Sequence, residues 1–298
     1  MKPKIMMISM KSNLRMEKLI GLLLMFIFCL TAQNVMAQRG KLFNSDNQLS
    51  SNLATQVFQD SNGFIWIATR NGLNIYDGYN FMVIRKTYDN SNGLNSNYIN
   101  CITQDEKGRI VLGTNKSLLI LNGKRFCNVP MLDSRNKPIS TYVTQVSRLH
   151  NGDIAVATSG YGIMTKKIDA NASYAMKGEV EKLKFVHKIL EDKQERLWII
   201  LENGKLYRKE KNGKLVSRIM GTEQLTIQDI RQDDKGNIYL ATKNDGVYLL
   251  KAGSTAFTKI AGIGNLPIGN IYISRDQRLF IGCDGMGIFV YNPITGFL

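Results

Sequence analysis

"DSNGFIWIATRNGLNIYDGYNF", Asp60 to Phe81, sets a frame that returns along the whole chain. With Gly63 as reference, its counterparts are Gly108, Gly152, Glu195, Gly236 and Gln277, at steps of 45, 44, 43, 41 and 41 residues. A fixed period of this size is the mark of stacked structural units. Six residues before each reference stand Val57, Ile102, Val146, Ile189, Ile230 and Ile271, all β-branched. Two and four residues after it come aliphatic pairs, Ile65 and Ile67 first and Leu279 and Ile281 last, which share one face of a strand. The position between them holds Trp66, Val111, Ala155, Trp198, Tyr239 or Phe280. This strand is therefore predicted to be buried on both faces, with Trp66 and Trp198 in the core. The position five after the reference is nearly always small: Ala68, Gly113, Ala157, Ile200, Ala241, Gly282.

Turn residues punctuate the frame where a four-stranded antiparallel meander needs them: "DSNG" and "DEKG" after the first strand, "RNG" and "KNDG" after the second, "DG" or "NG" after the third. No segment of the mature chain shows a sustained apolar stripe at helical spacing. A four-stranded unit cannot bury both its faces alone, so neighbouring units must cover them around an axis. The fold class expected is all-β, a β-propeller of four-stranded antiparallel blades. Six repeats are expected near residues 49–81, 94–126, 139–169, 185–214, 225–257 and 266–297. The period is too long for the rungs of a linear β-solenoid and too short for an immunoglobulin-like array.

The first residues belong to targeting rather than to the fold. A charged start and an apolar run from Leu19 to Ala32 lead to Val35-Met36-Ala37, so residues 1–37 are expected to be a signal peptide cleaved before Gln38. The run is short for a bilayer span, and a retained anchor is the alternative. Met16 is a second candidate start, which would make residues 1–15 a mis-assigned leader. Residues 38–298 then form the propeller domain of an exported, periplasmic protein. The full chain of 298 residues carries a net charge of +15; removal of residues 1–37 takes five basic and one acidic residue and leaves +11. An exported basic chain is unsuited to nucleic acid, and anionic glycans or the envelope surface are the better counterparts. The run Lys205 to Lys214, "KLYRKEKNGK", concentrates basic residues on an outer hairpin, read first as a solvated, Lys-protected edge. Cys101, Cys127 and Cys283 have no metal or redox spacing, and His150 and His187 are isolated. No metal, cofactor or catalytic residue is predicted.

At "FIWIATRNGLNIYDGYNF" and "LSSNLATQVFQDSNG" the chain resembles the two-component regulator propeller repeat, over roughly Leu42 to Leu298. The likeness is strong in repeats one and five. It is weak in repeats three and four, where "HNGDIAVATSGYG" lacks the aromatic and "KQERLWIILENG" the turn glycine. The resemblance implies the N-terminal periplasmic sensor part of a Bacteroides-type hybrid two-component histidine kinase. It implies recognition of carbohydrate fragments and, as partners, an oligosaccharide together with the remainder of a sensor kinase or a second copy of the propeller. Two readings of the chain stay open: a truncated or split piece of a seven-bladed sensor, or a self-contained six-bladed ring closed by a strand from Lys41 to Asn44.

For function, the frame is packing and the residues that vary within it are free to act. If "ATQVFQD" is the innermost strand, the segments before it and the loops between the second and third strands share one end of the ring. Those loops offer Arg70, Asn71, Asn115, Lys116, Tyr161, Asn203, Lys243, Asn244, Asp245 and Asp284 as candidate ligand-binding residues. Amides, carboxylates and an aromatic around an axis suit sugar hydroxyls and a pyranose face. Asn, Asp and Gly also populate tight turns for conformational reasons, whereas turns do not demand Arg70 or Lys116. A stand-alone glycan- or protein-binding scaffold is the second reading. A propeller lyase or glycosidase is the third, disfavoured because Asp60, Asp105, Asp192 and Asp233 recur at a turn and both histidines are expected away from the candidate end.

Overall fold

The computed structural model describes residues 42–46, 48–89 and 91–296, and every strand in it belongs to one unit, Asn44–Leu298. The signal segment, its cleavage site and Lys41 lie outside the described residues; Leu42 to Asn44 form no strand. The structure is a six-bladed β-propeller. The innermost strands are Ala54–Gln59, Ile99–Gln104, Val143–Arg148, Val186–Glu191, Ile227–Gln232 and Ile268–Ile273. Each pairs antiparallel with the strand after it in sequence, Ile65–Thr69 in blade 1 through Leu279–Cys283 in blade 6, and the meander continues outward. A register shift recurs near the start of every innermost strand, for example between Ala54 and Gln56 and between Ile227 and Asp229. Blade 6 has three strands. Blade 3 departs from the four-stranded expectation: Met131–Leu132 and Pro138–Ile139, in the segment arriving from blade 2, form a hairpin that adds to its outer strand through a parallel pairing with Ser173–Ala175. Among the described residues helix is confined to one short 3-10 turn, Glu179–Lys182.

The doubly buried second strand follows from how blades stack. The face carrying Trp198, Ile200 and Leu206 in blade 4 packs on Ile227, Ile230, Ile238 and Leu240 of blade 5, and the same assignment of faces holds at the junctions of blades 1–2, 2–3, 3–4 and 5–6. Trp66 and Trp198 are both buried, as expected. The small residue in the fifth position faces the next blade: a Cβ on Gly113 would stand 2.3 Å from Cys101 Sγ and 2.5 Å from Val143 Cγ1. Among the described residues no such cluster joins blade 6 to blade 1. Val57 is 60% exposed, whereas its five counterparts, Ile102 to Ile271, are buried. Across the junction, Tyr272 and Ile288 of blade 6 are 61% and 72% exposed.

The recurrent Asp builds the first turn and its neighbourhood. One oxygen of Asp60 accepts the N–H groups of Asn62 and Phe64 at 2.9 and 3.0 Å, and the other accepts the Trp66 indole N–H at 2.8 Å. Asp192 does the same for Gln194, Arg196 and Trp198, and Asp233 for Lys235, Asn237 and the Tyr239 hydroxyl. These carboxylates therefore tie turn to core.

The reference residue needs the left-handed backbone region, which explains its usual glycine. Glu195 and Gln277 nevertheless adopt it, with φ of 59° and 62°. Glu195→Gly is therefore expected to stabilise the protein by about 1 kcal/mol, offset slightly by losing the exposed Lys211–Glu195 pair. Urea unfolding showing Glu195→Gly less stable than the parent would contradict this account of the turn.

Among the described residues, Cys101, Cys127 and Cys283 are unpaired. Cys101 and Cys127 occupy the first and fourth strands of blade 2, and burial pushes the Cys101 thiol up to about 12. The basic run of blade 4 is locally neutralised, with Arg208 on Glu210 at 2.6 Å and Lys211 on Glu195 at 2.8 Å.

Candidate ligand-binding channel

The innermost strands surround a channel of about 1030 Å³. Its wall is set by two adjacent positions of each strand whose side chains reach the axis or the next blade. At the first, Thr55 donates to the Ile99 carbonyl (2.6 Å), Asn100 to Val143 (2.8 Å) and Thr144 to Val186 (2.6 Å). Each bond crosses to the following blade. At the second, Gln56 accepts from Ile102 N–H and donates to the Ile102 carbonyl, both at 3.0 Å. Gln145 accepts from Ile189 N–H at 2.7 Å, and Asp229 from Ile271 N–H at 3.1 Å. Much of the polar wall is thus stitching between blades.

At one end of the channel the innermost strands meet the loops between the second and third strands. The first residue of every loop between the second and third strands donates its N–H to the residue just ahead of the innermost strand: Arg70 to Leu53, Asn115 to Tyr98, Ser159 to Tyr142, Glu202 to Phe185, Lys243 to Thr226, Asp284 to Pro267, at 2.9–3.3 Å. The two sets of segments therefore do share one end of the ring. Of the ten candidates in those loops, Arg70 alone lines the channel. Its guanidinium lies 5.3 Å from the centre of the Tyr98 ring, and Tyr98 meets Tyr142 edge-on at 5.9 Å, a chain of contacts across blades 1 to 3. Burial, then the Tyr98 hydroxyl, pushes the Tyr142 phenol above its usual range.

The other nine sit on the loops outside the channel wall. Asn71 N–H caps back on Thr69 Oγ1, and Asn203 Oδ1 accepts Lys205 N–H at 3.1 Å, as turn residues do. Asn115, Lys243 and Asp284 make the backbone tie described above. The Lys116 carbonyl accepts Ser140 Oγ and Thr141 N–H. Asp245 holds Lys259 Nζ at 2.7 Å and the Tyr248 hydroxyl at 2.8 Å, and these bonds lower its carboxyl pKa. Tyr161 is exposed, and Asn244 follows Lys243 on the same loop.

Sequence reading missed Tyr98 and Tyr142, which line the mouth, and also Lys188, Arg231 and His187. The segment ahead of the innermost strand was identified as belonging to this end, yet its residues were not read off. Ten before the reference, the chain gives Leu53, Tyr98, Tyr142, Phe185, Thr226 and Pro267, an aromatic cluster visible by counting. The placement of both histidines away from this region is corrected: His187 occupies the axis-facing position of blade 4 and lines the channel. Burial, then the charge of Lys188, holds its pKa below the usual value, which keeps the ring neutral. His150 does lie elsewhere, with its N–H on Glu191 at 2.6 Å. Among the described residues no three His, Cys, Asp or Glu side chains come together to hold a metal, and no helix is long and apolar enough to cross a membrane.

Residues 48–71 and 93–116, each the lead-in and first two strands of a blade, match the family model described as "Two component regulator propeller". No curated relative matches the chain in sequence. Among solved structures the chain is similar to the extracellular domain of the hybrid two component system BT3049 from B. thetaiotaomicron, at 22% identity and a TM-score of 0.74, covering 87% of this chain and 36% of that one. It is also similar to PorZ, a surface component of the type-IX secretion system of Porphyromonas gingivalis (11% identity, TM-score 0.66, 85% of this chain and 42% of that one). A streptogramin B lyase shares the fold at 14% identity and a TM-score of 0.61, with 82% and 84% covered. The chain spans about a third of the length of the two-component relatives, 36% and 34%. At these identities the likeness carries the fold and no activity. The matched stretches are similar to the two component regulator propeller repeat, and their frame recurs through all six blades.

Proposed function

We propose that the chain is the ligand-sensing propeller of an exported two-component signalling receptor, and that a short oligosaccharide binds at the mouth of its channel. The observation that carries this is the Arg70–Tyr98–Tyr142 array, an apolar and cationic platform at the entrance of a channel of about 1030 Å³. Aromatic faces suit the C–H face of a pyranose, and the polar wall suits its hydroxyls. The outer loops, from Asn71 to Asp284, would meet the parts of a longer ligand that project from the mouth. Export into the periplasm accords with the extracellular origin of the similar two-component domains. The kinase is then a separate part of the receptor, met directly or through a second copy of the propeller.

Binding is favoured over catalysis. The recurrent carboxylates are committed to turns and indole or phenol hydrogen bonds, and His187 has no carboxylate hydrogen-bonded to it. The test is a glycan array probed with the exported protein, followed by calorimetry on whatever is retained. Tyr142→Ala and Tyr98→Ala are expected to weaken binding about tenfold each, equivalent to ~1.4 kcal/mol. Unchanged affinity in both variants, or an array on which nothing is retained, would overturn the reading.

A further inference from the structure

The wall of the channel is electrically one-sided. Arg70, Lys188 and Arg231 line it, and among the described residues no Asp or Glu does. The carboxylate that compensates them, Asp229, is fully buried behind the wall. Its Oδ1 takes Lys188 Nζ at 3.2 Å, Arg231 Nη1 at 3.1 Å and the Ile230 N–H at 3.0 Å, while Oδ2 takes the Ile271 N–H. One carboxylate thus stands behind two cations, which leaves an excess of positive charge facing the channel at blades 4 and 5. Arg70 adds a third cation at the mouth, in blade 1.

A cation partly screened from water by a protein wall attracts an anion more strongly than one on an open surface. Lys188 and Arg231 are about one quarter and one third exposed, so both retain access to the lumen. A second, independent feature concerns hydrogen bonding. Asn100 lines the same channel and is about nine-tenths buried, with its Nδ2 donating to the Val143 carbonyl. Its Oδ1 is the one buried side-chain polar atom without a partner among the described residues. A buried acceptor without a protein partner is left to be matched by a donor from water or from a bound molecule.

We propose that the channel selects acidic saccharides, with a carboxylate or sulfate held by Lys188 and Arg231 and a sugar hydroxyl donating to Asn100 Oδ1. A neutral sugar supplies the hydroxyl and leaves the excess charge of Lys188 and Arg231 over Asp229 without a counter-ion. An inorganic anion supplies the charge and leaves the amide oxygen unmatched. An acidic sugar supplies both. The inference rests on the channel being the saccharide site.

The experiment is an array bearing uronate-containing and sulfated oligosaccharides, their carboxyl-reduced or desulfated counterparts, and neutral oligosaccharides. It is read with the parent protein and with Lys188→Gln, Arg231→Gln and Lys188→Arg, each first checked by thermal unfolding. Expected is retention of acidic members over their neutralised counterparts, with at least about tenfold weaker binding in the two Gln variants, near-parent binding in Lys188→Arg, and affinity falling as salt rises. Because both Gln variants disturb the ion pairs on Asp229, the matched sugars read by the unaltered protein provide an arm that does not depend on their folding. Neutralised or neutral members binding as tightly as acidic ones would overturn the charge selection while leaving saccharide sensing intact. Retention of nothing would remove both.

Discussion

Trp198→Ala is expected to lower the unfolding free energy by about 3–5 kcal/mol. The indole is wholly buried, packs edge-on against Phe257 at 5.8 Å between ring centres, and lies beneath the guanidinium groups of Arg196 and Arg208 at 5.5 and 5.1 Å. Its N–H donates to Asp192 at 2.7 Å, so truncation removes a core volume and one of the donors on a buried carboxylate together. It also sits in the cluster that joins blades 4 and 5, so the loss falls on a junction rather than within one sheet. Urea titration with tryptophan fluorescence of the remaining Trp66 reads this directly. A midpoint within the error of the parent would mean that the second strand does not form the core of the stack.

The second large effect is expected at Asp229. Asp229→Ala removes the acceptor of the Ile271 N–H, which ties the innermost strands of blades 5 and 6, and strips Lys188 and Arg231 of their shared counter-charge. Breaking a buried pair by deleting one partner costs about 3–5 kcal/mol. The partial exposure of the two cations puts the expectation at the lower end, about 3 kcal/mol. Limited proteolysis should show where the loss falls: cleavage between residues 250 and 268, in the segment joining blades 5 and 6, is expected to quicken before cleavage elsewhere. Parent-like stability would show that the Asp229 carboxylate is not a structural clamp.

The sequence made the repeated packing problem legible and the channel illegible, for one physical reason. Every blade must bury the same two faces, so Ile65 and Ile67, Trp198, the turn Asp192 and the small Gly113 recur with the period and declare their roles by recurrence. The axis-facing position has no such constraint: Thr55, Asn100, Thr144, His187, Gln228 and Gly269 share a location and little chemistry. Their identity as one ring is visible only once the register is known, which is why His187 was placed away from the channel. Arg70 and Lys116 stood out because a turn gives no reason for a long cation, and of the two only Arg70 lines the channel; Lys188 and Arg231 were hidden inside a strand where a basic residue reads as surface. The hairpin that widens blade 3 was equally silent, since Met131–Leu132 and Pro138–Ile139 are too short to carry a pattern.

The junction between blades 6 and 1 bears on how the bore behaves as a mechanical object. In a ring sealed at every junction, a change of bore must be shared by all interfaces, and dense cores resist such shear. Here five apolar clusters hold their neighbours, while among the described residues no such cluster seals the sixth junction, where Val57 and Tyr272 are exposed. The stiffness of the circle is therefore uneven. Strain on the circle is expected to concentrate at the sixth junction, where no apolar cluster among the described residues resists it. Arg70 and Tyr98 are carried near one side of that junction, and Arg231 near the other. A change of spacing at that junction would shift Arg70 and Tyr98 relative to Arg231, and so alter the mouth and the cationic wall together.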